Sequence, residues 1–258
     1  MPAGTRRVVR SDLAAAFRDR AESTPSAADV DWYAAQVPRG CGPVLNALCG
    51  TGRLMLALLQ RDCPVHGVEE DPALFAVCAR RLQDAGRSVP LFRQDLQALN
   101  LPFRYGMAFV AGGAFQQLID PVAIALALAR LRAHLVEPRQ VVIELAIPAH
   151  AAHPPGAPLV EIERVICDDG SSITLRSEIR IDVEAARMER RERYERRAGS
   201  GRGLAGREDQ RLMRTWYRQD EALALLRDAG FTNARIEPLE SVDDPEAAAR
   251  RFAVIATA

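Results

Sequence analysis

The chain is 258 residues long, with 48% apolar content and 34 basic residues balanced by 34 acidic ones. That apolar fraction supports a packed core of one large α/β domain or two small ones, and it excludes disorder over the whole length. The zero formal charge gives no reason to expect nucleic acid or an anionic membrane as a partner.

In chain order, Ser11 to Gln36 shows helical spacing broken by Thr24-Pro25, which predicts a short helix and a second one from Ala27 to Gln36. Strand-length apolar runs follow at Pro43 to Leu48, Pro64 to Val68, Pro90 to Arg93, Met107 to Ala111 and Val141 to Ile147. Between them, helical patterns occupy Gly52 to Gln60, Pro72 to Ala85, Phe115 to Ile119 and Pro121 to Leu135. Strand alternating with helix at this spacing predicts an α/β fold, a Rossmann-like, doubly wound and mostly parallel sheet.

After Pro148 the pattern changes. A turn-rich loop, His150 to Gly156, leads into strands at Leu159 to Cys167, Ser172 to Val183 and Ala186 to Arg196. Their alternation of charged and apolar residues predicts an antiparallel ribbon with one wet face. Glu178, Glu189, Glu192 and Glu195 interleave with its arginines, which favours an exposed or dimeric salt-bridged sheet over a nucleic-acid stripe. Gly199 to Gly206 reads as a connector, Arg211 to Tyr217 as a strand, Asp220 to Ala229 as a helix stopped by Gly230, and Phe252 to Thr257 as a closing strand. The expected organisation is one domain over 1–258, with 149–215 as a β-rich insertion.

Every basic residue is Arg, which reads as GC-rich codon usage. Cys41, Cys49, Cys63, Cys78 and Cys167 are odd in number and lack C-x-x-C spacing, pointing away from a disulfide frame or zinc site and toward a reducing cytoplasm. The Arg-rich N-terminus lacks the apolar core of a signal peptide, and no apolar run reaches the roughly 18 residues that span a bilayer. A soluble protein without a membrane partner is expected.

The motif that carries most information is Val44 to Arg53, with Gly50 and Gly52, followed by Val65 to Glu69. It predicts a strand, a glycine turn opening a helix, and a second strand tipped by a carboxylate. Such a turn aims backbone N–H groups at a ligand, and an acid about 20 residues on accepts ribose hydroxyls, so a nucleoside is expected. A dinucleotide site wants a third glycine where this chain has Met55, which disfavours nicotinamide cofactors.

Together with Gln94-Asp95, Phe115 to Leu118, Trp216-Tyr217 and Ala229 to Phe231, this motif resembles the class I S-adenosylmethionine-dependent methyltransferases. The similarity is to small-molecule enzymes of bacterial metabolism, including sugar-amine and glycine N-methyltransferase-like proteins, and runs from Asp31-Trp32-Tyr33 to the C-terminus. The resemblance implies a seven-stranded sheet whose antiparallel insertion forms a lid over the acceptor pocket and supports a possible homodimer. It implies S-adenosylmethionine as cofactor, S-adenosylhomocysteine as product and a small-molecule acceptor methylated on N, O or C. Cofactor contacts would fall on Tyr33, Asn46, Leu48, Cys49, Gly50, Thr51, Gly52, Arg53, Glu69, Glu70, Gln94, Asp95, Leu96, Ala111 and Gly112. Within that set Glu69 would receive the ribose, Asp95 the adenine amino group, and Leu96 would cover the ring. The chain departs from the family at Asn46, where an acid is usual, at Leu48, where a glycine is usual, and at Gly106, where an Asp is common. A second functional class is therefore a relative that binds the cofactor or a related nucleoside without methyl transfer, as scaffold or sensor, or that uses it for other chemistry.

Displacement of a methyl group from a sulfonium needs alignment and desolvation more than covalent help, in keeping with the lack of a triad or metal cluster in the sequence. Expected substrate-side residues are Phe115, Gln116, Trp216 and Tyr217, with Tyr33 nearby. His150 and His153 follow the fifth strand, where a base could reach an acceptor, although His-x-x-His in a Pro-rich loop is more often plain surface and is too few ligands for a metal.

Overall fold

The computed structural model describes residues 12–21, 24–151, 156–199, 203–239 and 250–258. Five strands, β1 (Val44–Ala47), β2 (Val65–Val68), β3 (Leu91–Phe92), β4 (Tyr105–Val110) and β5 (Leu135–Ala146), pair in parallel. Continuous apolar sequence suits them because helices cover both faces of a parallel sheet; every residue of β1 and β4 is buried. With β10 (Thr232–Pro238) and β11 (Arg251–Thr257) the sheet has seven strands in the order β10-β11-β5-β4-β1-β2-β3. Only β11 runs against the others, pairing antiparallel with both β5 and β10. The predicted α/β fold with a mostly parallel seven-stranded sheet is therefore the observed one.

Five α-helices flank or join these strands: α2 (Ala27–Gln36), α3 (Arg53–Leu59), α4 (Pro72–Asp84), α5 (Pro121–Ala133) and α6 (Gln219–Asp228). Two of them start alike. Asp71 and Asp120 accept backbone N–H bonds of the first turn, from Ala73 and Leu74 and from Val122, with Pro next in sequence, which satisfies donors that would otherwise be orphaned. One face of the sheet buries Leu45, Ala108, Val110 and Val141 against residues of α5 and α6. The other buries Val44, Phe109 and Val142 against Tyr33, Leu54, Met55 and Leu58 of α2 and α3.

Met55 sits where a third glycine would allow close helix–strand packing, and the structure shows how the bulk is accommodated. A Cβ on Gly67 of β2 would lie 2.8 Å from Met55 Sδ and 2.7 Å from Leu91 Cδ1. The small residue has moved from the helix to the strand.

A second, antiparallel sheet comprises β6 (Leu159–Ile166), β7 (Ser172–Asp182), β8 (Arg187–Arg197) and β9 (Leu204–Thr215) in that order. Its inner face carries Ile173, Leu175 and Tyr194, which pack on Ala14 and Phe17 of helix α1 (Asp12–Ala21); the Phe17 and Tyr194 rings meet edge-on at 5.6 Å. From its other side α1 places Ala15 against Leu74 and Val77 of α4, while Asp19 pairs with Arg80 and Arg81. The helix thus ties the antiparallel sheet to the main one.

Four expectations need correction. The helix placed at Phe115 to Ile119 is a single 3-10 turn, Ala114–Gln117. β9 starts at Leu204, within the end of the supposed connector and seven residues before Arg211, and stops at Thr215, short of Trp216-Tyr217. β5 starts at Leu135, six residues before the apolar run at Val141. β10 carried no strand signal, because an edge strand that is half exposed, contains Asn233 and ends in Pro238 lacks the apolar alternation that marks a strand.

Candidate active site

The sheet order reverses between β1 and β4, which leave their shared edge toward opposite sides. A crevice beyond the strand carboxyl ends is expected at such a switch point, and a solvent-open cleft of about 860 Å³ lies there. Its floor is Asn46, Leu48, Cys49, Gly50, Thr51 and Arg53 from the end of β1 through the start of α3. Ala111, Gly112, Ala114 and Gln117 follow β4, Tyr33 and Asp29 come from α2, and Glu144 and Arg251 from β5 and β11. Arg18 of α1 and Arg214 of β9 reach in from above.

The turn after β1 is left-handed at Leu48 (φ 56°), Gly50 (φ 60°) and Gly52 (φ 76°). Gly50 and Gly112 have no heavy atom within 4 Å of where a Cβ would stand; both line the cleft, so backbone can approach a ligand there. Gly52 is different. It caps α3, and a Cβ on it would strike Cys78 Sγ at 2.4 Å, so it serves packing and stands outside the cleft lining.

Glu69 fixes this turn. Its two oxygens accept from Gly50 N (2.7 Å) and Asp71 N (3.0 Å), and the residue is 0% exposed. The expected ribose carboxylate thus lies beneath the glycine turn, away from the cleft wall. Cys49 lines the cleft with its thiol 4.0 Å from Cys78 Sγ; the contact with that thiol, then burial, push its pKa well up, so it is a poor nucleophile.

Glu144 is the hub of the opposite wall. At 4% exposure it accepts from Tyr33 Oη (2.7 Å) and Gly112 N (2.8 Å) through Oε2, and from Arg251 Nε (2.8 Å) through Oε1. Arg251 also reaches Asp29 Oδ1 at 3.1 Å. Burial, then the Glu144 charge, push the Tyr33 hydroxyl well above the usual phenol range, so Tyr33 remains a neutral donor. Between these walls Asn46, 2% exposed, holds an Oδ1 with no hydrogen-bond partner among the described residues. A buried acceptor left unmet costs about 1–3 kcal/mol, so this atom is suited to a ligand donor.

Nine expected cofactor residues come together here: Tyr33, Asn46, Leu48, Cys49, Gly50, Thr51, Arg53, Ala111 and Gly112. Six stand elsewhere. Besides Gly52 and Glu69, Glu70 is off the cleft wall, Gln94 braces its own loop through Asn100, and Asp95 caps the 3-10 turn Leu96–Ala98 with an exposed carboxylate. Leu96 has its side chain wholly in the core, where it cannot cover a ring. The substrate-side expectations also shift. Phe115 is core, and Gln116 ties Ala146 to Thr215 through three backbone bonds. Trp216 is buried outside the cleft, and Tyr217 packs against the core, with burial raising its pKa to about 12. The neighbours Gln117 and Arg214 line the cleft in their place. His150 is exposed and off the cleft; His153 lies outside the described residues.

Asp29, Glu144, Arg251, Arg18, Arg214 and Gln117 were not anticipated. Glu144 had a readable signal, as the lone charge inside Val141 to Ile147, and Arg251 directly precedes an apolar strand. Arg18 and Arg214 depend on how α1 and the antiparallel sheet pack beside the cleft, Asp29 and Gln117 on the direction of a side chain from α2 and from the 3-10 turn.

Residues 44–138 match a family model described as a methyltransferase domain. Residues 44–138 are therefore similar to a methyltransferase domain. No curated protein matches the chain in sequence. Among solved structures, a S-adenosylmethionine-dependent methyltransferase from Clostridium acetobutylicum superposes with TM-score 0.73 at 13% identity, covering 95% of this chain and 97% of the other. A sugar N-methyltransferase from Streptoalloteichus superposes with TM-score 0.71 at 21% identity, covering 100% and 98%. An amino pentose methyltransferase from Micromonospora echinaspora gives TM-score 0.68 at 18% identity, covering 98% and 99%. At these identities the likeness establishes the fold over the whole chain. The matched residues contribute β1 to β4 and α3 to α5, hence the floor of the cleft and its Ala111 to Gln117 wall, while Tyr33, Glu144, Arg18, Arg214 and Arg251 come from outside the match. No group of three metal-ligating side chains is found among the described residues, nor is any helix there long and apolar enough to cross a membrane.

Proposed function

We propose that this protein is a methyltransferase that moves the methyl group of S-adenosylmethionine to a small metabolite bearing an amine. The observation that carries this reading is the orphaned Asn46 Oδ1 on the cleft floor, between the two glycines, Gly50 and Gly112, that open backbone to a ligand. The cofactor supplies an electrophilic methyl on a sulfonium. Gly50 and Gly112 would pass backbone along its amino-acid end, and Arg18, Arg53 and Arg214 offer cations for its carboxylate. For ribose and adenine the reading keeps Glu69 and Asp95, although both stand off the cleft wall in the structure, Glu69 holding the glycine turn from behind. The amine preference is supported by what the sugar N-methyltransferase and the amino pentose methyltransferase are described as acting on.

The segment 149–215 covers the acceptor side of the cleft, with Arg214 as its contact. Val160, Ile162 and Ile166 stand exposed on the outermost strand of that cover, which supports a homodimer. The assigned setting is a bacterial cytoplasm. Calorimetric titration of the purified protein with S-adenosylmethionine and S-adenosylhomocysteine is expected to give saturable, one-to-one binding. Absence of heat with both at millimolar ligand overturns the reading.

A further inference from the structure

The usual acid at the end of the first strand is missing here, and Asn46 alone supplies no charge for a ligand ammonium. The charge is present elsewhere on the same face of the sheet. Asn46 pairs in register with Phe109, and Phe109 with Val142, two residues before Glu144. Alternation along strands puts Asn46, Phe109, Val142 and Glu144 on one side, Glu144 lying two strand spacings of about 4.8 Å across from Asn46 and two residues further along. Both Asn46 and Glu144 line the cleft.

Glu144 also has capacity left. A carboxylate offers about four acceptor sites, and the contacts from Tyr33, Gly112 and Arg251 fill three. Its cationic partner Arg251 is shared with Asp29. Arg18, Arg53 and Arg214 also line the cleft, so groups of both signs border it.

We propose that Glu144, backed by Asp29 and with Asn46 Oδ1 opposite, holds the ammonium of the cofactor's amino-acid end, a carboxylate moved from the first strand to the fifth. This rests on the reading that S-adenosylmethionine binds here. The test titrates the full chain with S-adenosylhomocysteine and with its analogue carrying hydrogen in place of the amino group. Glu144→Gln is expected to weaken S-adenosylhomocysteine about tenfold, the scale of one charge-assisted bond, and to leave the deaminated analogue unchanged. Asn46→Asp added to Glu144→Gln is expected to restore the amine-bearing ligand selectively. Equal weakening of both ligands in Glu144→Gln, or no weakening of either, overturns the proposal and leaves cofactor binding standing. Failure of the unmutated protein to bind either ligand overturns both. A thermal melt of each variant identifies simple misfolding, in which case Glu144→Asp, which keeps the charge, is required to retain the preference for the amine-bearing ligand.

Discussion

Leu48 combines two demands that the sequence states separately. A glycine is usual at this point, and the reason survives, since Leu48 takes the left-handed conformation at φ 56°. For a residue with a Cβ that conformation costs about 1–2 kcal/mol. The side chain is kept because it is 5% exposed and packs with Leu45, Ala47 and Leu101 in the core, and removing a buried leucine costs about 2–5 kcal/mol. Burial therefore outweighs strain. Leu48→Gly is expected to lose up to about 4 kcal/mol, the difference of these terms, read as a lower urea midpoint at unchanged slope, while S-adenosylhomocysteine binds at least as tightly because the leucine leaves the cleft lining. A gain in stability would show that backbone strain dominates.

At the level of elements, the exchange between α3 and β2 makes a sharper claim. Gly67→Ala would press a methyl onto Met55 Sδ and Leu91 Cδ1, both under 3.0 Å, and overpacking of this kind costs about 1–3 kcal/mol. Because the Met55 thioether is one of the two atoms in the way, Met55→Ala should cost less in the Gly67→Ala background than alone. Additive losses in a double-mutant cycle of denaturant unfolding would deny the pairing. Legibility follows the same logic. β1, β2, β4 and the helices beside them were readable because parallel strands buried on both faces are written as unbroken apolar runs. The glycine turn was readable from Gly50 and Gly52. The cofactor residues outside that turn, Gln94, Asp95 and Leu96, were placed by analogy, and only side-chain packing could show that Leu96 faces the core. Likewise Phe115-Gln116 and Trp216-Tyr217 point to the right loops, but the residues at the cleft are their neighbours Gln117 and Arg214. Direction within a short turn or at a strand end has no periodicity to reveal it.

Over the whole molecule, α1 and the antiparallel sheet meet around a buried carboxylate. Glu192, 2% exposed on the inner face of β8, accepts from Tyr194 Oη at 2.8 Å and from Gln210, and pairs with Arg190 at 3.3 Å. Burial alone would raise its pKa; the Tyr194 and Gln210 bonds and the charges of Arg18 and Arg190 outweigh it and hold the carboxyl below the usual range. Arg18 belongs to α1 and lines the cleft, so this one group links cover, helix and site. Its folded pKa is depressed, so the unfolded chain takes up the proton first as pH falls. The stabilisation is complete above the ordinary glutamate value of about 4.3 and is lost as pH drops through the folded value. Asp169, Glu189 and Asp209 are also depressed, chiefly by the hydrogen bonds they accept from Ser171, Arg191 and Arg193, but they lie toward the solvent side, where screening makes such pairs weak. Glu192→Gln is therefore expected to start less stable at pH 7 and to lose less on acidification. Urea midpoints at pH 7, 5, 4 and 3 measure this directly, and a variant curve parallel to that of the unmutated protein between pH 5 and 3 would assign the acid sensitivity to other carboxylates. Because Arg18 loses its anionic neighbour in that variant, S-adenosylhomocysteine affinity at neutral pH should also change, whereas a variant of an outer-face ion pair such as Asp209→Asn should leave it as it was.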